Sequence, residues 1–461
     1  MKKQPLIRNL ILVLLPLLAI VLIVQAQEQP NPGGLTIVGP GQRYTETIPV
    51  IDIQAFGFQP AALPTDDSVS HSQFIIQKSQ LNQGGGSDPN NPYAVIRKTG
   101  PTFMQPGGTA QYEITLANYE SITQTYQLTD TLPPQLAYVP DLASDLAYDS
   151  TNHTLTWQGE LAPGDLNYVI EENSLTLPYL DLATFGAGNL CDDFITNGET
   201  CDDVTVTFNL GVNGYTANLY SEVLNQLTVS SNGLIMAPET AASSPFARNQ
   251  WLPDAATPGF VLAGLWRDVN MGGGDALQNG RFHAAIISGL IAEYDVFYAQ
   301  WHDAPHTNDP DLTARHAIAI VLNGNSALTG QAFFIYDNIS DPGQTVAQGY
   351  TIGIGDKLGV RGATYAYAPC CGDPQPSQGY PPTAGTTLHL RPLLFGAANA
   401  YHRTFRYAAI VTGQVPETIT NTATATSSSN DPALASVWST HYLYVRRQTF
   451  IPFSLFDEVS P

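Results

Sequence analysis

The stretch ETITNTATATSSSNDP, Glu417 to Pro432, is a polar, Thr-rich alternation that reads as the last strand of a small β-sandwich. The segment that reads as the beginning of such a sandwich lies far upstream. It is QPGGTAQYEITLAN, Gln105 to Asn118, followed by LTDTLPPQLAYVP, Leu128 to Pro140. A long block of different pattern separates the two, and how they relate decides the number of domains.

Working outward, Ala110, Tyr112, Ile114 and Leu116 fall on one strand face, and Gln111, Glu113 and Thr115 fall on the other. That is the signature of a half-buried strand. Further strands are expected at Thr125 to Thr131 and Thr154 to Gln158. Turn clusters around Pro133-Pro134 and Asp149 to Asn152 separate them, as in an antiparallel sandwich. Tyr126 and Trp157 are expected in its core.

PGGTAQYEITLANYES, LTDTLPPQLAYVP and LTWQGELAPGD are similar in order and spacing to the conserved-repeat domain of bacterial surface proteins, the domain-of-unknown-function eleven family. The resemblance implies an immunoglobulin-like sandwich used as a stalk or spacer unit outside cells, with no catalytic residues. In that family the last two strands follow soon after a turn like LAPGD. Here VIEENSLTLPYLDLATFG leads instead into a block running to about Tyr367.

Strand candidates in the block are DDVTVTFNL, LTVSSNGLI, FVLAGLWRDVN, YDVFYAQW, HAIAIVLNG, AFFIYDNI and YTIGIGDKLGVRGATY, each bounded by Gly, Asn, Asp or Pro. Their Ser-Asn-Gly, Trp-x-Asp, strand-final Trp and Gly-Ile-Gly elements resemble the nidogen-like β-domain of bacterial exported proteins. The fold class expected is therefore all-β, an immunoglobulin-like antiparallel sandwich with a second, larger β-sandwich domain inserted. Insertion is favoured because two separate sandwich fragments would each leave a bare sheet edge and half a core. The expected division is a signal peptide at 1–26, a flexible spacer at 27–92, and the first part of the sandwich at 93–177. The inserted domain follows at 178–369, a Pro- and Gly-rich connector at 370–385, the last part of the sandwich at 386–445, and a tail at 446–461. That last part includes TTLHLRPLLF, Thr386 to Phe395. Within the spacer, the patch IPVIDI could add one edge strand.

The compartment follows from the first residues. Lys2, Lys3 and Arg8 precede an apolar run from Leu10 to Val24 that ends in Val24-Gln25-Ala26, the pattern of a secretory signal. The run contains Pro16 and is short for a membrane span, which needs about 20 residues, so no span is expected in the mature chain. The formal net charge is −22, and loss of the signal makes it more negative, so nucleic acid and anionic membrane would be repelled. Extracellular protein or glycan remain as partners.

Candidate chemistry is sparse. WHDAPHTNDPD gathers His302, Asp303, His306, Asp309 and Asp311, but its spacing matches no zinc signature and its prolines suit a solvated hairpin loop. Two acidic loops would suit calcium. These are CDDFITNGETCDD, with Asp192, Asp193, Asp202 and Asp203, and DVNMGGGD, with Asp268, Asn270 and Asp275; neither follows the EF-hand pattern. Glu293 and Asp295 share a strand face, as a carboxylate pair would. No nucleophile motif or phosphate-binding Gly loop occurs, so no enzyme and no cofactor are expected, with calcium left as the one open possibility. The function expected is a secreted or cell-surface structural or adhesive protein. One alternative is a carbohydrate- or matrix-binding module with Tyr294, Tyr298 and Trp301 as a platform for sugar rings. The other is an accessory protein of an exported hydrolase.

The four cysteines read as structural disulfides of an exported chain. Cys191 and Cys201 lie near the start of the insert, and Cys370 and Cys371 directly after its end. An inserted domain leaves and returns through neighbouring strands, so a bridge between the two pairs would staple the neck. The alternative is a local Cys191 to Cys201 bridge, with Cys370 and Cys371 joined to each other or free.

Overall fold

The computed structural model describes residues 35–61 and 94–445, apart from short internal segments at 40, 141–144, 239–247, 255–259, 273–279, 293, 323–327, 372–374, 398–399, 413–417 and 431. The expected signal peptide and tail lie outside these residues. So do residues 62–92 of the expected spacer. The chain is all-β, and its described residues divide into two compact units, 35–61 with 167–220 and 224–393, and 94–166 with 221–223 and 394–445. Among the described residues no helix is long and apolar enough to cross a membrane.

The smaller unit is a two-sheet sandwich. Its four-stranded sheet runs Ile96–Thr99, Thr109–Ala117, His402–Val411, Leu136–Val139. Its six-stranded sheet runs Phe103–Met104, Ser436–Val445, Thr418–Ser427, Gln124–Thr131, Thr154–Leu161, Ala147–Asp149. The late strands are interleaved with the early ones. His402 to Ile410 pair antiparallel with Ala117 to Thr109, while Ala423 lies opposite Asp130. Neither segment could close these sheets alone, because each would leave ladder groups unpaired. Alternation does the rest: Ala110, Tyr112, Ile114 and Leu116 are buried beside Tyr126, Leu128, Tyr407 and Ala423, and Trp157 packs half-buried at the edge of that core.

The larger unit has an eight-stranded sheet, in order Thr36–Gly39, Gln42–Thr45, Thr205–Asn209, Gln226–Ser230, Leu234–Met236, Val261–Trp266, Tyr350–Gly355, Gly362–Ala368. Its seven-stranded sheet runs Leu166–Glu172, Thr387–Leu394, Ala332–Ile339, Asp309–Val321, Tyr294–His306, Arg281–Ile291, Val50–Asp52. The seven-stranded sheet is covered on both faces, which is why its strands are almost continuously apolar. Phe297, Ala299, Trp301, Ile318 and Phe334 enter the main core, whereas Val296, Tyr298, Ala317, Ala319 and Phe333 meet Leu175, Leu177, Leu180 and Leu182 on the other side.

Three expectations change here. Thr36–Gly39, Gln42–Thr45 and Val50–Asp52 are strands of the larger unit and not a flexible spacer. Val50–Asp52, in the IPVIDI patch, pairs parallel with Ile286 to Ser288, and Gln42–Thr45 pairs parallel with Thr205 to Phe208. Thr387–Leu394 belongs to the larger unit, not to the smaller sandwich, since Ala332 to Ile335 pair with Leu390 to Thr387. Leu166–Glu172, expected in the smaller sandwich, is the neighbour of Thr387–Leu394 in the same sheet. The inbound and outbound strands thus lie side by side, and each pairs with its neighbour where a bare edge would otherwise remain.

The short motifs of the larger unit are packing devices. Gly233 of Ser-Asn-Gly has φ +82°, and a Cβ there would meet the Leu265 carbonyl oxygen at 2.2 Å. At Gly353 of Gly-Ile-Gly, a Cβ would meet the Ala363 oxygen at 2.5 Å. Only glycine fits either position.

Candidate functional site

The two acidic loops converge. A bridge pairs Asp202 with Asn270, the Cys201 N–H donates to the Gly272 carbonyl at 2.8 Å, and the Met271 N–H donates to the Cys201 carbonyl at 2.9 Å. Carboxylate oxygens of Asp202, Asp203 and Asp268 all lie within 4.8 Å of one another. The Asn232 amide spans the corner, donating to Asp203 Oδ1 at 2.6 Å while its oxygen accepts from the Val269 N–H at 2.9 Å. Burial pushes the Asp202 carboxyl up to about 6, reinforced by the charges of Asp203 and Asp268, and Asp203 moves upward for the same first cause. A hard divalent cation is the ligand such oxygens would suit.

The other expected loop residues go elsewhere. Asp192 accepts from the Asn189 amide, and Asp193 pairs with Arg43. Asp275 lies outside the described residues. Arg43 had no signal in the sequence, standing as it does in a stretch that reads as a spacer. Its buried guanidinium lies 2.5 Å from Asp193, 3.3 Å from Glu199 and 4.2 Å from the centre of the Phe194 ring. It clamps the helix Cys191–Thr196 and the loop after it onto the strand Gln42–Thr45.

The His/Asp stretch is not a loop. Strands Tyr294–His306 and Asp309–Val321 continue through it to a two-residue turn, with a bulge between Trp301 and Ala304 where Asp303 has φ +50°. The bulge keeps His302 and Asp303 together, Nε2 to Oδ2 3.6 Å, and each candidate has further partners of its own. His302 Nδ1 lies 3.1 Å from the Tyr179 hydroxyl, Asp303 pairs with Arg315 at 2.5 Å, and His306 accepts from the Asn308 N–H. Burial holds His306 down to about 4, helped by the Arg267 charge. Glu293 is outside the described residues, and Asp295 accepts from the Ser288 hydroxyl at 2.5 Å.

The aromatic platform is corrected. Tyr298 and Trp301 are fully buried and face opposite sides of the sheet, because they stand three residues apart in a strand of period two. The Tyr298 hydroxyl accepts from the Leu180 N–H at 3.0 Å, and the Trp301 indole donates to the Ser230 carbonyl at 3.0 Å and stacks on His316 at 4.9 Å. Tyr294 is half-buried against the core on the Tyr298 side.

The neck staple is corrected too. Cys191 and Cys201 are bridged to each other, with Cα atoms 5.4 Å apart, and Cys370 and Cys371 are free. The helix turns Cys191 back toward Cys201, and both side chains are fully buried in the core, away from the solvent-facing Cys371. No family model matches the chain, and no curated protein is similar enough to count as a relative.

Proposed function

We propose that the protein is an exported, cell-surface structural or adhesive element, in which a discontinuous sandwich of the conserved-repeat kind carries a nidogen-like unit. The observation that carries this reading is the interleaving of His402–Val411 and Thr418–Ser427 with strands from the other side of the insert. Such a sandwich can hold a second unit through two adjacent strands without losing its own core, which suits presentation better than turnover. The Cys191–Cys201 bridge favours an oxidising compartment, and the negative net charge favours solubility there. The test is fractionation of the producing cells with an antibody to the folded chain. Recovery in the medium or cell envelope supports the reading, and recovery only in cytosol overturns it. Deleting the protein should then reduce attachment of those cells to matrix or to one another.

A further inference from the structure

The core of the smaller sandwich contains a lysine, an aspartate and an asparagine that no solvent reaches. Lys98, Asp130 and Asn421 are each 0 to 1 % exposed. Lys98 comes from Ile96–Thr99, the first strand of the unit's four-stranded sheet, and its Nζ lies 2.6 Å from both oxygens of Asp130 on Gln124–Thr131. Asn421 comes from Thr418–Ser427. The register places Ser439, Ala423 and Asp130 side by side across the six-stranded sheet, and Asn421 is the next residue on the inward face from Ala423. The Lys98 N–H donates to Ser439 Oγ at 3.0 Å, which sets the lysine over this row.

Tyr407 links the asparagine to the aspartate. Its hydroxyl donates to Asp130 Oδ2 at 2.8 Å and accepts from Asn421 Nδ2 at 2.8 Å. Since the single phenolic proton is used on Asp130, the amide must present its NH2 group to Tyr407, and this orients Asn421. The Asn421 carbonyl oxygen is then buried with no hydrogen-bond partner. Tyr112 and Tyr407, stacked at 5.2 Å, close the pocket, with Lys98 Nζ at 5.4 and 5.7 Å from their ring centres.

As a structural device this is costly twice over, because it buries an ion pair and leaves an amide oxygen bare. As a reactive set it is complete: an amine, an amide carbonyl and a carboxyl that can carry a proton between them, all buried from solvent. We propose that Lys98 and Asn421 are joined by an intramolecular isopeptide bond that forms within the folded chain, with Asp130 as the acid and base. Asp130 takes a proton from Lys98, and the freed amine lone pair forms the Nζ–Cγ bond to Asn421. The tetrahedral centre collapses by breaking Cγ–Nδ2, the proton shed by Nζ passes through Asp130 to the leaving nitrogen, and ammonia departs. No oxidant or co-reactant is needed. Burial, which holds the Lys98 amine down to about 8 against the pull of Asp130, makes the neutral nucleophile accessible. The bond would tie the first strand of that four-stranded sheet to Thr418–Ser427 across the whole insert, so that the sandwich could not open from its termini.

The test is the intact mass of the full exported chain, reduced and alkylated, measured against the sequence from its observed first residue. The linked protein is expected about 17 Da light, with a proteolytic peptide joining the Lys98 and Asn421 segments. Lys98→Ala, Asn421→Ala and Asp130→Ala should each restore the unlinked mass. The wild-type measurement is decisive even where a variant fails to fold. A wild-type mass equal to the sequence overturns the proposal. So does a loss of about 18 Da with Lys98 joined to Asp130, the mark of water leaving in place of ammonia. Retention of the loss in Asp130→Ala would remove that residue's role.

Discussion

Arg43 Nε lies 2.5 Å from Asp193 Oδ2, an ion pair that reaches across 150 residues and ties the N-terminal strands to the disulfide-closed loop. The guanidinium is fully buried, while Asp193 and Glu199 keep 31 % and 32 % of their side-chain exposure. The charge is thus satisfied from the solvent side by carboxylates and from beneath by the Phe194 ring.

Removal of that clamp should be costly. Arg43→Ala is expected to destabilise the larger unit by about 3 kcal/mol, the low end for a broken buried pair because the carboxylates retain solvent. Urea denaturation of the full chain measures it, and proteolysis near residue 43 should quicken. An unchanged midpoint would show that the N-terminal strands add nothing to the fold.

The cysteine arrangement predicts a definite labelling pattern. Non-reducing peptide mapping should yield one linked peptide, containing residues 191 and 201, and two free thiols per chain. Cys371 is exposed and should alkylate first, whereas burial and the neighbouring Cys371 thiol push the Cys370 thiol up, so it should react slowly. Cys201→Ser should cost about 3 kcal/mol, from the loop entropy of a bridge spanning ten residues of sequence separation. A peptide linking either of these cysteines to residue 370 or 371 would contradict the pairing.

Buried histidines should make the larger unit sensitive to acid. Burial holds His316 down to about 3, and His306 and His389 to about 4, from the usual 6.5. Because the unfolded chain takes up these protons first, the stability they contribute is complete above pH 6.5 and is lost as pH falls through the folded values. His316 stacks on Trp301, and neither of its ring nitrogens has a partner, so His316→Phe keeps the stacking and removes the titration. Its stability should fall less steeply between pH 6.5 and 4 than that of the wild type. Identical slopes would mean that His316 is not buried neutral.

Asp202 runs the other way. With its carboxyl raised from 3.8 to about 6, the stability it contributes is complete below pH 3.8 and is lost as pH rises through 6. Asp202→Asn should therefore stabilise the protein at pH 7 in chelator, by roughly 1 kcal/mol once its half-exposed setting is allowed for, and should have little effect at pH 4. Thermal melts at the two pH values test this. A loss of stability at pH 7 would indicate that the ionised form is held by contacts stronger than the repulsion from Asp203 and Asp268.

Much of the architecture was legible in the residues themselves. Alternation at Ala110 to Leu116 and in the Thr-rich stretch at Thr418 to Ser427 identified strands with one inward face, and turn residues marked their ends. The acidic loops were recognisable by composition. Tertiary structure alone decided the remainder, and for one physical reason. Periodicity reports which side chains share a face, but not what covers that face or which edge a strand will join. Tyr298 and Trp301 are both buried because the seven-stranded sheet is covered twice, and a sequence window cannot see a second cover. Thr387–Leu394 joined the larger unit because Ala332–Ile339 offered it an edge. Gln42–Thr45 and Val50–Asp52 became strands because partners more than 150 residues away supplied their hydrogen bonds. Lys98, Asp130 and Asn421 had no spacing to betray them, since they stand on three strands whose meeting is a product of sheet packing.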